Sequence, residues 1–523
     1  MNSSAILRRR VAPWMLQGWT GMAGVFLTGA VEAAPLLPPG PLPPPTTPPS
    51  VSELEEGRAL AQKYCTACHL AVDPQVLDRA TWRTGTEPMM RRLVKFDALD
   101  SERPEDVAVA KEWRRIWDWY FASAPAQPIP PPAHPPIAVS LNRFAPEWWA
   151  HRRDQQMATL VKIDPARRQV YVGNQVSRTL DVLDAQGNAL SSLTLASPPV
   201  GLVERPEGWY APLIWDLSPH DTRQGQVVQL RRDGDRFVLG TNVLNELPRP
   251  TSLAAGDLNG DGREDLVVCG YGNVEGAVSW WEQTPTGKWA EHRLLDRPGG
   301  VKAEIADLNR DGRPDIVVQM AQAREGLYWF ENQGSGVFEA RVIAEFHPAW
   351  GSSSFQLVDF DQDGDLDVLA TNGDSGEYPS GLKAYHGVRW YRNDGKSQFS
   401  EAYFYPINGA YGVRAADYDG DGDLDLAVIS FFADYGRKNA ESFVLLWNDG
   451  AGRFRPETLD AGASGRWIVM DAGDVDGDGD VDLVLGAANR VPFWAPKALT
   501  AAWAESGSTV LLLRNQTSTG NGR

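Results

Sequence analysis

The chain has 523 residues, 42% of them hydrophobic, and a formal net charge of −18. That length accommodates two or more domains with real cores, and the acidic balance argues against a nucleic-acid partner. Twenty Trp and fifty Gly point to β-structure with many turns, and only three Cys exclude a disulfide-stapled scaffold.

Residues 1–33 read as an export signal: Arg8, Arg9 and Arg10, then the mainly apolar stretch Val11–Ala30, then small residues ending at Ala33. The mature chain is therefore expected in the periplasm or outside the cell. An uncleaved membrane anchor is the alternative, weakened by Gln17, Gly18 and Thr20, and no later stretch reads as a membrane span. Residues 34–50 form a proline-rich linker, read as an extended, unfolded spacer. A compact segment, 51–125, follows. Residues 126–150 are a second proline-rich linker, long enough to let two domains swing.

The segment between the linkers carries Cys65-Thr66-Ala67-Cys68-His69. Two thiols three residues apart can add across the vinyl groups of one haem, and the adjacent His then lies beneath the iron. A redox dithiol would sit beside a βαβ pattern, and a zinc site needs a second ligand pair; the sequence has neither. The stretch Glu105–Ala122 is predicted as a helix, with Val109, Trp113, Ile116, Trp117 and Tyr120 at helical spacing.

These features resemble a small class I cytochrome c. The resemblance implies an all-α domain with Cys65 and Cys68 holding one haem c and His69 as an iron ligand. Gly57, eight residues before Cys65, stands where the family uses a glycine for a close helix crossing; the family's aromatic four residues before the first Cys is Ala61 here. The sixth ligand is expected from Trp82…Pro88-Met89-Met90, whose register in similar modules favours Met90 with Met89 as the alternative. Both methionines could instead be packing residues.

From residue 151 to 523 the chain reads as β throughout. One phrase, Asp-x-Asp/Asn-x-Asp-Gly-x-x-Asp, occurs five times at intervals of 50, 52, 58 and 57 residues. Its oxygen-bearing positions are Asp257, Asn259, Asp261 and Asp265; Asp307, Asn309, Asp311 and Asp315; Asp359, Asp361, Asp363 and Asp367; Asp417, Asp419, Asp421 and Asp425; and Asp474, Asp476, Asp478 and Asp482. Oxygen donors at positions 1, 3, 5 and 9 of a tight loop, with Gly at position 6, suit a hard cation, so up to five Ca²⁺ are expected. Position 12 is Val268, Val318, Ala370, Val428 or Leu485, where an EF-hand needs Glu, so each loop leads into a buried strand. Without metal these clustered carboxylates repel one another.

Hairpin turns such as Asn332-Gln-Gly334, Asn393-Asp-Gly395 and Asn448-Asp-Gly450 alternate with the loops. Four strands per unit of about 50 residues predict a β-propeller blade. Five loops mark five blades, and residues 156–246 fit two more, giving an all-β seven-bladed propeller. The last unit lacks its fourth strand, which a segment before residue 156, with Ile137–Phe144 as the candidate, is expected to supply. The repeat resembles the FG-GAP/VCBS family, including the propeller of integrin α-chains. That resemblance implies calcium in the first interstrand loops, weaker where Asn259 and Asn309 replace Asp.

Three long connections, 371–387, 431–442 and 487–506, are expected to form a crescent for a ligand on the face opposite the calcium loops. Within the first, Asp374 and His386 either serve that site or brace the loop. Cys269 reads as a buried free thiol. The function expected is one-electron transfer by an exported monohaem cytochrome whose propeller docks a redox protein partner. The alternatives are a binding or adhesion module with a sensory or incidental haem, and a haem-linked dehydrogenase or peroxidase.

Overall fold

A computed structural model describes residues 41–66, 70–93, 99, 102–152, 154–218, 220–322, 324–376, 382–436, 441–489, 495–507 and 509–516. The expected export signal lies outside these residues. The chain divides into two compact units. One runs to Pro131 and takes in His347–Ala349 and Gly376–Ala384; the other holds the remainder. No helix among the described residues is long and apolar enough to cross a membrane.

The first unit is helical. Helix Val51–Cys65 starts with a capping box: the Glu53 amide donates to Ser50 Oγ at 3.3 Å, and the Ser50 amide donates to Glu53 Oε2 at 2.7 Å. Helix Pro104–Ser123 begins on a proline, whose missing N–H would have no intrahelical partner there. Its buried stripe, Val109, Trp113, Ile116, Trp117, Tyr120 and Phe121, matches the sequence-based helix. Trp82 packs 4.7 Å from Tyr120, and its indole donates to the Pro74 carbonyl at 2.9 Å. Trp82 thus shields apolar area while its polar edge finds a partner, whereas the buried Trp117 indole N–H has none among the described residues.

Gly57 sits where the two long helices cross. A Cβ there would lie 2.2 Å from the Arg115 carbonyl oxygen and 2.9 Å from Trp119 Cβ. Gly57→Ala is expected to force the helices apart and destabilise this unit by about 1–3 kcal/mol. Urea denaturation followed by the helical circular dichroism signal measures this; an unchanged midpoint would contradict the close crossing.

The first proline-rich linker is not wholly a spacer. Leu42 is 1% exposed in the helical core, and its amide donates to the buried Glu87 carboxylate at 3.4 Å. The apolar side chain among prolines has a core to enter, and burial outweighs extension. The second linker is likewise held at its end: His134 packs 5.2 Å from Tyr405 and shares a 3.2 Å hydrogen bond with its hydroxyl.

The second unit is a seven-bladed propeller. Five blades are consecutive four-stranded antiparallel meanders: 158–194, 203–247, 250–295, 300–345 and 352–406. The second strands, such as Asp265–Gly270, Asp315–Met320 and Asp425–Ser430, are buried at every position because neighbouring blades cover both faces. The outer strands, such as Ala189–Thr194, alternate exposed and half-buried residues. The innermost strand carries a register shift near its start in six blades, for example between Ala158 and Leu160 and between Gly300 and Lys302. Blade 1 has this bulge without an acidic loop, so it is the same structural unit stripped of that loop.

Ring closure bears out the expectation that a segment before residue 156 supplies the missing strand, and corrects which one. The fourth strand of the last blade is Phe144–Trp149, antiparallel to Val510–Asn515 from Phe144↔Asn515 to Trp149↔Val510. Of the expected segment Ile137–Phe144, only Phe144 takes part. Ala138–Val139 instead runs parallel to Phe454–Thr458 and adds a fifth strand to blade 6. Inner strands of the first and last blades are tied directly, the Ile163 amide donating to Asp471 Oδ2 at 2.9 Å.

Candidate metal centres

Each acidic loop joins the inner strand of a blade to its second strand. In the first, Asp257 Oδ1 accepts the amides of Gly260 and Asp261, and Oδ2 accepts that of Gly262. Gly260 and Gly262 adopt φ of +76° and +81°, a conformation open to glycine. Position 9 begins the second strand and is fully buried: Asp265 Oδ2 accepts the Leu258 amide at 3.2 Å, and Oδ1 accepts that of Gln283 at 2.9 Å. Burial pushes Asp265, Asp367 and Asp482 up to about 6 and Asp425 up to about 7, against the amide hydrogen bonds each accepts.

The five loops are not equivalent. In the last three, carboxylate oxygens converge: Asp359, Asp361 and Asp363; Asp417, Asp419 and Asp425; Asp474, Asp476 and Asp482 each bring one oxygen apiece within 4.8 Å of the others. Such a triad of acceptors suits a hard divalent cation. The Asp sets of the first two loops do not converge in this way among the described residues. Two substitutions account for it. Asn259 and Asn309 donate Nδ2–H to Asp261 and Asp311 at 3.1 and 3.0 Å, and Arg263 and Arg313, at loop position 7, pair with the same two carboxylates. The last three loops carry Asp365, Asp423 and Asp480 at position 7.

Arginines also form ion pairs with carboxylates of two of the three convergent loops. Arg392 Nε lies 2.6 Å from Asp361 and its Nη2 3.0 Å from Asp363, while Arg514 pairs with Asp476 and Glu147. No described Lys or Arg forms an ion pair with Asp417, Asp419, Asp421, Asp423 or Asp425; Arg143 reaches the Asp419 carbonyl at 3.2 Å and acts on that carboxylate only through space. The carboxylates of loop 417–425 are therefore the ones without a contacting cation.

One element was missed by sequence reasoning. The asparagines read as hairpin residues also bind the loops. Asn332 Nδ2 donates to the carbonyls of Pro314, in its own blade's loop, and Leu258, in the preceding blade's loop, at 2.9 Å each. Asn393 reaches Leu308 and Leu366, and Asn515 reaches Tyr418 and Val481. The available signal was the recurrence of Asn at or near the end of the third strand in blades 4 to 7.

In the helical unit, Cys65 ends its helix half-buried, and Met90 is half-buried on helix Glu87–Leu93. Both pack against the one hydrophobic core formed around Trp82, Trp113 and Trp117. Cys68 and His69 lie outside the described residues, as does the Met89 side chain. Cys269 is fully buried and free, and burial pushes its thiol up.

The long connections also have defined parts. Tyr435 of 431–442 meets Trp503 of 487–506 edge-on at 5.3 Å, on helix Lys497–Ser506. His386 is fully buried and its Nδ1 accepts the Gly409 amide at 3.2 Å, a bracing contact. Residues 377–381, 437–440 and 490–494 lie outside the described residues, so the crescent as a whole does too.

No curated protein matches the chain. Residues 257–318, 319–370, 380–428 and 431–485 each match a family model for the FG-GAP-like repeat, and together these stretches include all five acidic loops. The seven-bladed propeller of this chain is thus one that carries FG-GAP-like repeats.

Proposed function

We propose that the protein is an exported c-type cytochrome that transfers single electrons, with a calcium-loaded propeller that docks its redox partner. The observation that carries the reading is the Cys65–His69 motif at the end of a helix crossed closely at Gly57, with Cys65 and Met90 on one core. Cys65 and Cys68 would hold the haem covalently, and His69 with Met90 would ligate its iron; a thioether opposite an imidazole favours electron transfer over small-ligand chemistry. In the propeller, loops 359–367, 417–425 and 474–482 would bind Ca²⁺ tightly, and loops 257–265 and 307–315 weakly.

The test is spectroscopic. Purified mature protein is expected to show a covalently bound, low-spin haem. Met90→Ala should turn the iron high-spin and lower its reduction potential by on the order of a tenth of a volt, whereas Met89→Ala should leave both unchanged. Protein made with haem available but lacking haem absorbance would end the electron-transfer reading.

A further inference from the structure

The propeller buries two arginines whose charge nothing in the proposed cytochrome function uses. Arg466 is 2% exposed just ahead of the inner strand of blade 7. Its Nε and Nη2 donate to the Phe431 carbonyl at 3.3 and 3.2 Å, and its guanidinium lies 3.9 Å from the Phe431 ring centre. Arg249 is 9% exposed between blades 2 and 3. It donates to the carbonyls of Leu217 and Gly272 and lies 4.6 Å over the Tyr271 ring, while its buried Nε has no hydrogen-bond partner. Neither guanidinium forms an ion pair with a described carboxylate. Other well-buried arginines do: Arg389 meets Glu401 at 3.2 Å, and Arg91 meets Glu87 at 3.7 Å.

Both arginines meet one group of residues: Arg466 lies over Phe431, whose ring is 5.4 Å from that of Tyr411 on the inner strand of blade 6, and Arg249 donates to the Leu217 carbonyl. The Tyr411 hydroxyl feels the Asp374 carboxylate and both cations. Around it, Phe431, Phe432, Met157 and Ala488 form an apolar cluster with Leu217 and Ile468 against it. These residues come from the ends of the inner and second strands away from the acidic loops. Asp216 and Asp374 are the carboxylates whose charge Arg249 feels, and neither is in ion-pair contact with it. Holding a cation out of water without a contacting anion costs several kcal/mol. Burial keeps the Tyr411 phenol protonated, hence a donor.

We propose that this cluster, with its two buried guanidiniums, binds a small organic carboxylate, its oxygens received by Arg249, Arg466 and the Tyr411 hydroxyl and its apolar body by Phe431, Phe432 and Leu217. A planar guanidinium fork matches a carboxylate, and aromatic walls favour a flat hydrocarbon body over a hydrated inorganic ion.

Calorimetric titration of the full-length protein with benzoate, and separately with inorganic phosphate, tests this. Benzoate should bind saturably at one site. Arg249→Gln and Arg466→Gln should each weaken it by about ten-fold or more, and Tyr411→Phe by about five-fold. Arg453→Gln, at an 80% exposed side chain, should leave it unchanged. Tyr411→Phe removes only an oxygen, so it reads the site even if an arginine variant misfolds. No saturable benzoate binding up to about 10 mM, binding indifferent to all three substitutions, or phosphate binding tighter than benzoate would each overturn the proposal. Because benzoate binding needs no haem, this result stands apart from the electron-transfer reading.

Discussion

A chain lacking residues 137–149 is expected to lose its closed propeller and to associate through the last blade. The deletion uncovers Val510–Asn515, whose Val510, Leu511, Leu512 and Leu513 are fully buried, and leaves its ladder of amides and carbonyls without a partner. An exposed apolar strand edge is a template for pairing with another chain. The deletion also removes Phe144 and Trp149, 3% and 5% exposed, each of which stabilises the fold by about 1.5–3 kcal/mol through burial. Trp149→Ala is the milder form, expected to cost about 3–5 kcal/mol. Size-exclusion chromatography and thermal melting measure both. A deletion mutant that associates no more than the full-length chain, with an unchanged melting temperature, would mean that the ring is closed by other contacts.

The second large effect concerns the acidic loops. Chelator should lower the melting temperature, since a cation at 100 times its dissociation constant contributes about 2.7 kcal/mol per site. Titration of Ca²⁺ should resolve three tight sites and two weak ones. Among single substitutions, Asp419→Asn should weaken binding most, because it gives the loop whose carboxylates form no arginine ion pair the donor set of the Asn259 loop. Asp361→Asn should cost less, since Arg392 already offsets that carboxylate. Five equal sites, or a melt indifferent to chelator, would refute this ordering.

Much of the propeller was legible because its signals are local and periodic. Loop spacing marked five blades, and the apolar run after each loop marked the fully buried second strand. The closing strand was placed too early for a physical reason. Phe144–Trp149 contains Pro146, which argues against a central strand, yet this strand lies at the outer edge of its sheet, where a missing amide donor is tolerated. The division of the five loops into two kinds was half visible. Asn259 and Asn309 announced weaker donors, but the pairing of Arg263, Arg313, Arg392 and Arg514 with loop carboxylates depends on how strands register. The same holds for Arg249 and Arg466, which come from different blades and share no local pattern.

The asparagine bridges give the ring a direction. Asn332, Asn393 and Asn515 each reach back to a carbonyl of the blade before their own. Blades 4, 5 and 7 therefore find this anchorage already synthesised and can latch as they emerge. Two seams are of another kind: Ala138–Val139 must await Phe454–Thr458 of blade 6, and Phe144–Trp149 must await Val510–Asn515 of blade 7. Early strands are thus held without their partners until the late blades are made.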